Sequence, residues 1–156
     1  MTVLTDSLDL VTQYIVDKIV TAAAAGAIKS ADNLAVLTPG NVFYGDQVKY
    51  PATPAIAVEP GGRPRTLMEV SYRTENNFSV FIMCYHAGIQ DNQLTRKQIQ
   101  QISEGIETLI HQDPQFGGLL VHGFCENNDS GYVYRQSTMY RTNRISFSGY
   151  SKTRLR

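Results

Sequence analysis

Cys84 and His86 stand two residues apart in the run FSVFIMCYH (78–86), and His122 and Cys125 lie three apart in LLVHGFC (119–125). Two cysteines with two histidines make a ligand set that tetrahedral zinc accepts. The spacing argues against it. Alternation along a strand puts Cys84 and His86 on one face but His122 and Cys125 on opposite faces, unless a bulge intervenes. Neither pair has the spacing of a zinc knuckle. Buried thiols and hydrogen-bonded imidazoles are the expectation, with no metal and no cofactor. Nucleophilic catalysis needs a Ser or Cys beside a His that a carboxylate orients. The three histidines, His86, His111 and His122, come with no Gly-x-Ser-x-Gly elbow. His111 ends a helical stretch, where positive charge is favourable, and so has a structural place. GGRPRT (61–66) lacks the Lys-Ser/Thr ending of a phosphate loop and opens no helix. Glu104 and Glu107 fall on the polar side of a helix as solvated charges. The chain is read as a non-enzyme.

Charge offers the other candidate chemistry. No acidic residue follows Asp129, whereas Arg135, Arg141, Arg144, Lys152, Arg154 and Arg156 all do. Aromatics interleaved with arginine can stack on single-stranded nucleic acid. Yet Lys+Arg and Asp+Glu total 14 each, so no net field steers the molecule onto DNA or a membrane. No ribonucleoprotein-type motif is present. With a last strand over 132–150, Arg135, Met139, Arg141, Ile145 and Phe147 share one face while Arg144 takes the other, so neither face is a basic stripe. A nucleic-acid-binding module stays the alternative, and the acidic start and basic end suit a subunit meeting different surfaces at its two ends.

The elements that position these residues follow from periodicity. Leu4, Leu8, Val11, Ile15, Ile19 and Ala22 recur at helical spacing; Asp6 or Ser7 can cap the start and Gly26 the end. The alanines at 22–25 allow another backbone to come close. Residues 27–54 read as a long ordered loop with a short strand at NVFYG, the kind of loop that binds or covers something. PAIAVEP (54–60) suits a short or edge strand, and GGRPR (61–65) an exposed turn with Arg63 and Arg65 solvated. A hairpin is expected next: TLMEVSYRT (66–74), a turn at ENN (75–77), then FSVFIMCYH. That last strand is apolar on both sides, Phe78, Val80, Ile82 and Cys84 against Phe81, Met83 and Tyr85. Thr95 with Gln98 forms a capping-box pattern before the stripe Ile99, Ile102, Ile106, Leu109 and Ile110, and DPQFGG stops that helix. Strand 119–125, a turn at ENNDSG (126–131) and the final strand complete the chain, with 151–156 a mobile or partner-ordered end.

The order predicts one α+β domain over 1–156, a mostly antiparallel sheet with two amphipathic helices packed on one face. Two helices cover only one face, so Phe81, Met83 and Tyr85 need a neighbouring subunit or the 27–54 loop above them. Hydrophobic residues at 42% and charged residues at 18% are ordinary for a globular protein. MTVLTDSLDL has no basic region and no apolar core, so no secretory signal is expected, and no run nears the roughly 18 apolar residues of a membrane span. Two cysteines make no disulfide framework and fit a reducing compartment.

In order and pattern the chain resembles the tail terminator (tail completion) proteins of long-tailed bacteriophages. The matching features are the N-terminal helix, the Pro-bounded PAIAVEP strand with its Gly/Arg-rich turn, the hairpin MEVSYRTENNFSVFIMCYH, the helix TRKQIQQISEGIETLIHQDP, and LLVHGFCENNDSGYVYRQSTMYRTNRISFSGY. The 27–54 loop is more elaborate than in the simplest members. The resemblance implies a virion protein assembled in the host cytoplasm, a closed ring, typically of six copies, that caps the tail tube and ends its polymerisation. Its partners would be further copies of itself, the tail tube protein, the head-proximal connector or stopper and, in a contractile tail, the sheath, with DNA only passing through. A stopper or head–tail adaptor ring is the neighbouring alternative. Phe81, Met83, Tyr85, Arg63, Arg65, Arg135, Arg141, Arg144, Lys152, Arg154 and Arg156 are the expected subunit or partner contacts.

Overall fold

A computed structural model describes residues 8–62, 65–68, 73–87 and 92–154. Two helices, α1 (Leu8–Ala24) and α2 (Asn92–His111), lie on one side of a six-stranded sheet. Its strands are β1 (Val42–Tyr44), β2 (Ala55–Gly62), β3 (Arg65–Met68), β4 (Arg73–His86), β5 (His122–Arg135) and β6 (Thr138–Arg154). The spatial order is β1-β2-β4-β6-β5, with β3 continuing the β2 side of β4. All pairings are antiparallel except β1 with β2. This is the α+β arrangement that the periodicity predicts.

The core is built as the stripes require. Val11, Ile15 and Ile19 of α1 and Ile99, Ile102, Ile106 and Ile110 of α2 meet Ile56, Val58, Phe78, Val80, Ile82, Cys84, Ile145 and Phe147 of the sheet. Gly26, at φ +69°, closes α1: its N–H donates to Ala23 O and the N–H of Ala27 to Ala22 O, the two bonds of a Schellman cap. Leu4, Asp6 and Ser7, expected to start this helix, lie outside the described residues. Opposite each other on the helix side, Gly123 and Gly149 leave room for Phe147 and Leu120, which a Cβ at either position would strike.

Six local expectations are corrected. Thr95 does not cap α2, which begins three residues earlier; Thr95 is buried within the helix, and Gln98 turns to partners elsewhere. ENN (75–77) is no turn but lies inside β4, and the chain reverses between Met68 and Arg73. Val70 and Tyr72 fall outside the described residues. ENNDSG (126–131) likewise continues β5 through a bulge between Cys125 and Asn127, and the hairpin turns at Gln136–Ser137. Gly61, Gly62 and Arg65 belong to strands rather than to an exposed turn. Finally, β2 is interior, with the three-residue β1 outside it, and β6 stays paired with β4 as far as Arg154, so most of the expected loose end is strand. For the two misread turns, strand pairing outweighs local turn propensity, ENN along β4 and ENNDSG along β6, because every residue added to a ladder satisfies backbone groups that a turn would leave to solvent.

Candidate interaction surfaces

Along β4, residues 78, 80, 82 and 84 face the helices, which leaves Phe81, Met83 and Tyr85 on the second face. The 27–54 loop covers one half of that face. Small side chains at Ala55 and Ala57 of β2 leave space above them, and Tyr50 fills it with Tyr85 and Tyr140 as a second buried cluster. Tyr50 stacks on Tyr85 at 4.6 Å between ring centroids, and Tyr140 meets both rings edge-on at 6.0 and 5.8 Å.

Asp46 locks this lid. Its Oδ1 accepts from Tyr50 Oη at 2.6 Å and Tyr85 Oη at 2.8 Å, and its two carboxylate oxygens accept from Arg135 Nη1 and Nη2 at 3.0 and 2.9 Å. Arg135 Nη1 also donates to Gln47 O at 2.7 Å, and the guanidinium lies over the Tyr85 ring. Burial alone would raise the Asp46 carboxyl, but the bonds from Arg135, Tyr50 and Tyr85 prevail and hold it below the usual carboxylate range. Burial, reinforced by the Asp46 charge, pushes both phenols of Tyr50 and Tyr85 well above theirs. A loop carboxylate and the tip of the β5–β6 hairpin, 89 residues apart, are thereby fastened together.

This geometry sorts the expected contact residues. Tyr85 is wholly buried by its own chain and offers a neighbour nothing, a correction that follows from the loop being long enough to cover it. Arg135 is held by Asp46 rather than presented outward. Met83, half-buried, packs against the tyrosine cluster at the edge of the lid, and Phe81, also half-buried, has the Arg144 guanidinium over its ring at 4.0 Å. Arg141 points to the helix side, 5.7 Å from the Tyr132 ring. Arg65, Lys152 and Arg154 take strand positions in β3 and β6. Arg63 and Arg156 lie outside the described residues. Arg141 thus lies on the helix side and Arg144 on the second face by alternation along β6, and the reversal at 136–137 brings Arg135 to the second face rather than to the face of Arg141.

The candidate metal set is dispersed. Cys84 is fully buried against the helices, with its thiol pushed up by burial, and the Cys125 thiol is pushed up to about 12 for the same reason. His122 lies on the second face near Phe124 and Tyr150. His86 Nε2 meets Gln98 Oε1 at 2.8 Å, and Gln98 Nε2 donates onward to Asp32. Among the described residues no three His, Cys, Asp or Glu side chains gather as metal ligands. His111 Nε2 accepts from the Cys125 N–H at 3.0 Å. The residue pins the end of α2 to β5 through this bond. Asn143, fully buried, donates to Gln100 Oε1 and Asn128 Oδ1 and so joins α2 to the β5–β6 hairpin.

Two outward surfaces escape the sequence patterns. At the hairpin tip, on the helix side, Tyr132, Tyr134 and Met139 are 68%, 65% and 48% exposed. They are bare because α2 crosses the sheet diagonally: its C-terminal half sits over β5, through His111–Cys125 and Ser103–Asn128, while Gln98 reaches β4 at His86. A groove of about 500 Å³ runs between α1 and α2, lined by Tyr14, Asp17, Thr21, Ala22, Ala25 and Leu109, with Lys18 at its side.

No protein-family model matches the chain, and no curated protein matches it. Among solved structures it is similar to a chain from the virion of a native gene transfer agent particle. The two correspond over 91% of this chain and 94% of that one, with a TM-score of 0.50 and 10% sequence identity. The likeness is one of fold: two helices over one side of a mostly antiparallel sheet.

Proposed function

We propose that this chain is a structural virion protein that assembles into a closed ring, and that the ring is a tail terminator. In this reading it caps the tail tube, ends its polymerisation and presents a docking face to the head connector. The observation that carries the proposal is the likeness in fold to a virion chain along nearly the whole of both molecules. The element order that resembles phage tail terminators supports the finer assignment. So do the surfaces: the part of the second face beyond the lid, where Phe81 is only half-buried under the exposed Arg144, and the bare aromatic tip are areas suited to a partner. Function here is surface complementarity without chemistry, and DNA in the channel is tolerated rather than gripped, in keeping with 14 basic against 14 acidic residues.

Light scattering across a concentration series, with negative-stain imaging, tests the proposal. Rings of about six copies are expected, as for heterologous interfaces that close, and adding them to polymerising tail tube protein should arrest tube growth. A concentration-independent monomer that binds duplex DNA with a steep loss of affinity between low and physiological salt would instead mark a nucleic-acid module.

A further inference from the structure

We infer that the β5–β6 hairpin tip of one copy docks, by its Tyr132–Tyr134–Met139 face, into the α1–α2 groove of the next copy. The inference rests on the ring reading and assigns its lateral contact. The tip has the composition of an interface core: two tyrosines and a methionine clustered on one exposed surface, with large contact area and few rotors to freeze. It is also rigid from behind. Val133 and Tyr140 pack under the Tyr50 lid, and Arg135 is clamped by Asp46, so the tip loses little freedom on docking. Both residues of its turn, Gln136 and Ser137, hold positive φ (45° and 66°) without a glycine between them, strain of the kind that persists where a surface has a task.

The groove supplies the counterpart. Ala22 and Ala25 form a shallow wall with Leu109 opposite, so a flat ring can approach the α1 backbone closely. The AAAA run at 22–25 is thus partly turned outward, with Ala24 and Ala25 exposed. Charge agrees. Lys18 is balanced by Asp113 at 3.4 Å, which leaves Asp17 as the net charge of the groove, its carboxylate engaged only by the neutral Gln13 amide at 2.8 Å among the contacts described. Beside Tyr132 at the tip, Arg141 brings the opposite sign. Tip and groove sit on different elements of the same chain, so the contact is heterologous and propagates from copy to copy until it closes.

The test uses the intact chain in three arms. Tyr132→Ser with Tyr134→Ser should weaken association by about thirtyfold or more, as loss of a hot-spot tyrosine does, and should leave the unfolding midpoint nearly unchanged. Asp17→Arg or Arg141→Asp alone should weaken assembly, and the two together should restore it. Mixing Tyr134→Cys chains with Ala25→Cys chains should give a mixed disulfide dimer that neither chain forms alone. Assembly of the double-serine chain at wild-type strength, or no mixed disulfide while rings still form, overturns this contact and leaves the ring reading standing. A wild-type chain that stays monomeric at every concentration removes both.

Discussion

At the residue scale the decisive group is Asp46, whose importance no local pattern in GDQVKY announces. A single carboxylate satisfies two phenols and one guanidinium, and each partner sits on a different element. Asp46→Ala should therefore cost about 2–3 kcal/mol in chemical denaturation, because it strands half-buried donors rather than merely losing a contact. The pH dependence has a definite sign. The folded pKa of Asp46 lies below its unfolded value of about 3.9, so its contribution is fully present above that value and is lost as pH falls through the folded pKa. Asp113, which accepts from Tyr14, and Asp32, which accepts from Ser30, act in the same direction. For Tyr50 and Tyr85 the folded pKa is raised, so their contribution is complete below about pH 10 and fades as the unfolded phenols ionise above it. A stability profile from pH 2 to 11 should show losses at both ends, and Asp46→Ala should reduce both, leaving the acid loss due to Asp113 and Asp32 and the alkaline loss due to burial of the phenols. If the variant keeps the wild-type profile, the clamp does not hold the lid.

At the element scale, the helices and the β4 core were legible in the sequence because each carries an apolar stripe of one period, as with Ile99, Ile102, Ile106 and Ile110. What misled was turn chemistry. ENN at 75–77 and ENNDSG at 126–131 have the composition of turns, yet both are paired strand, whereas the true reversal at Gln136–Ser137 has no turn signature. Pairing with β4 and β6 over 14 registers supplies long-range hydrogen bonds that a local window cannot see. The clamp was illegible for the same reason, since Asp46 and Arg135 meet only after the sheet is formed. This yields a prediction. A two-residue hairpin turn with both φ values positive favours Asn-Gly. Gln136→Asn with Ser137→Gly should therefore stabilise the chain by about 1 kcal/mol or more, relieving left-handed strain that a non-glycine residue carries. A thermal melt checks it; an unchanged or lowered midpoint would show that the Gln-Ser side chains make compensating contacts at the tip.

At the scale of the whole molecule, the sheet has a dry side under the helices and a second side that is half lid and half open. The boundary falls at Met83, two positions from the buried Tyr85 on one strand. Tyr85 is fully buried and stacked in the tyrosine cluster, so Tyr85→Ser should remove about 3–5 kcal/mol from folding, as truncation of a buried aromatic does. Phe81 is only half-buried, its ring lying between the Arg144 guanidinium and Gly61, where a Cβ would come within 2.8 Å of it. Phe81→Ser should then cost folding only about 1–2 kcal/mol, part of the value of burying such a side chain fully. The two variants separate fold from assembly. If the open half is an interface in the ring, Phe81→Ser lowers the assembled fraction at a concentration where its monomer is still fully folded. Unfolding midpoints and solution mass, read on the same samples, make the comparison. Loss of folding and of mass in step for both variants would mean that the second face is core throughout and that the ring contacts lie only on the hairpin and the helices.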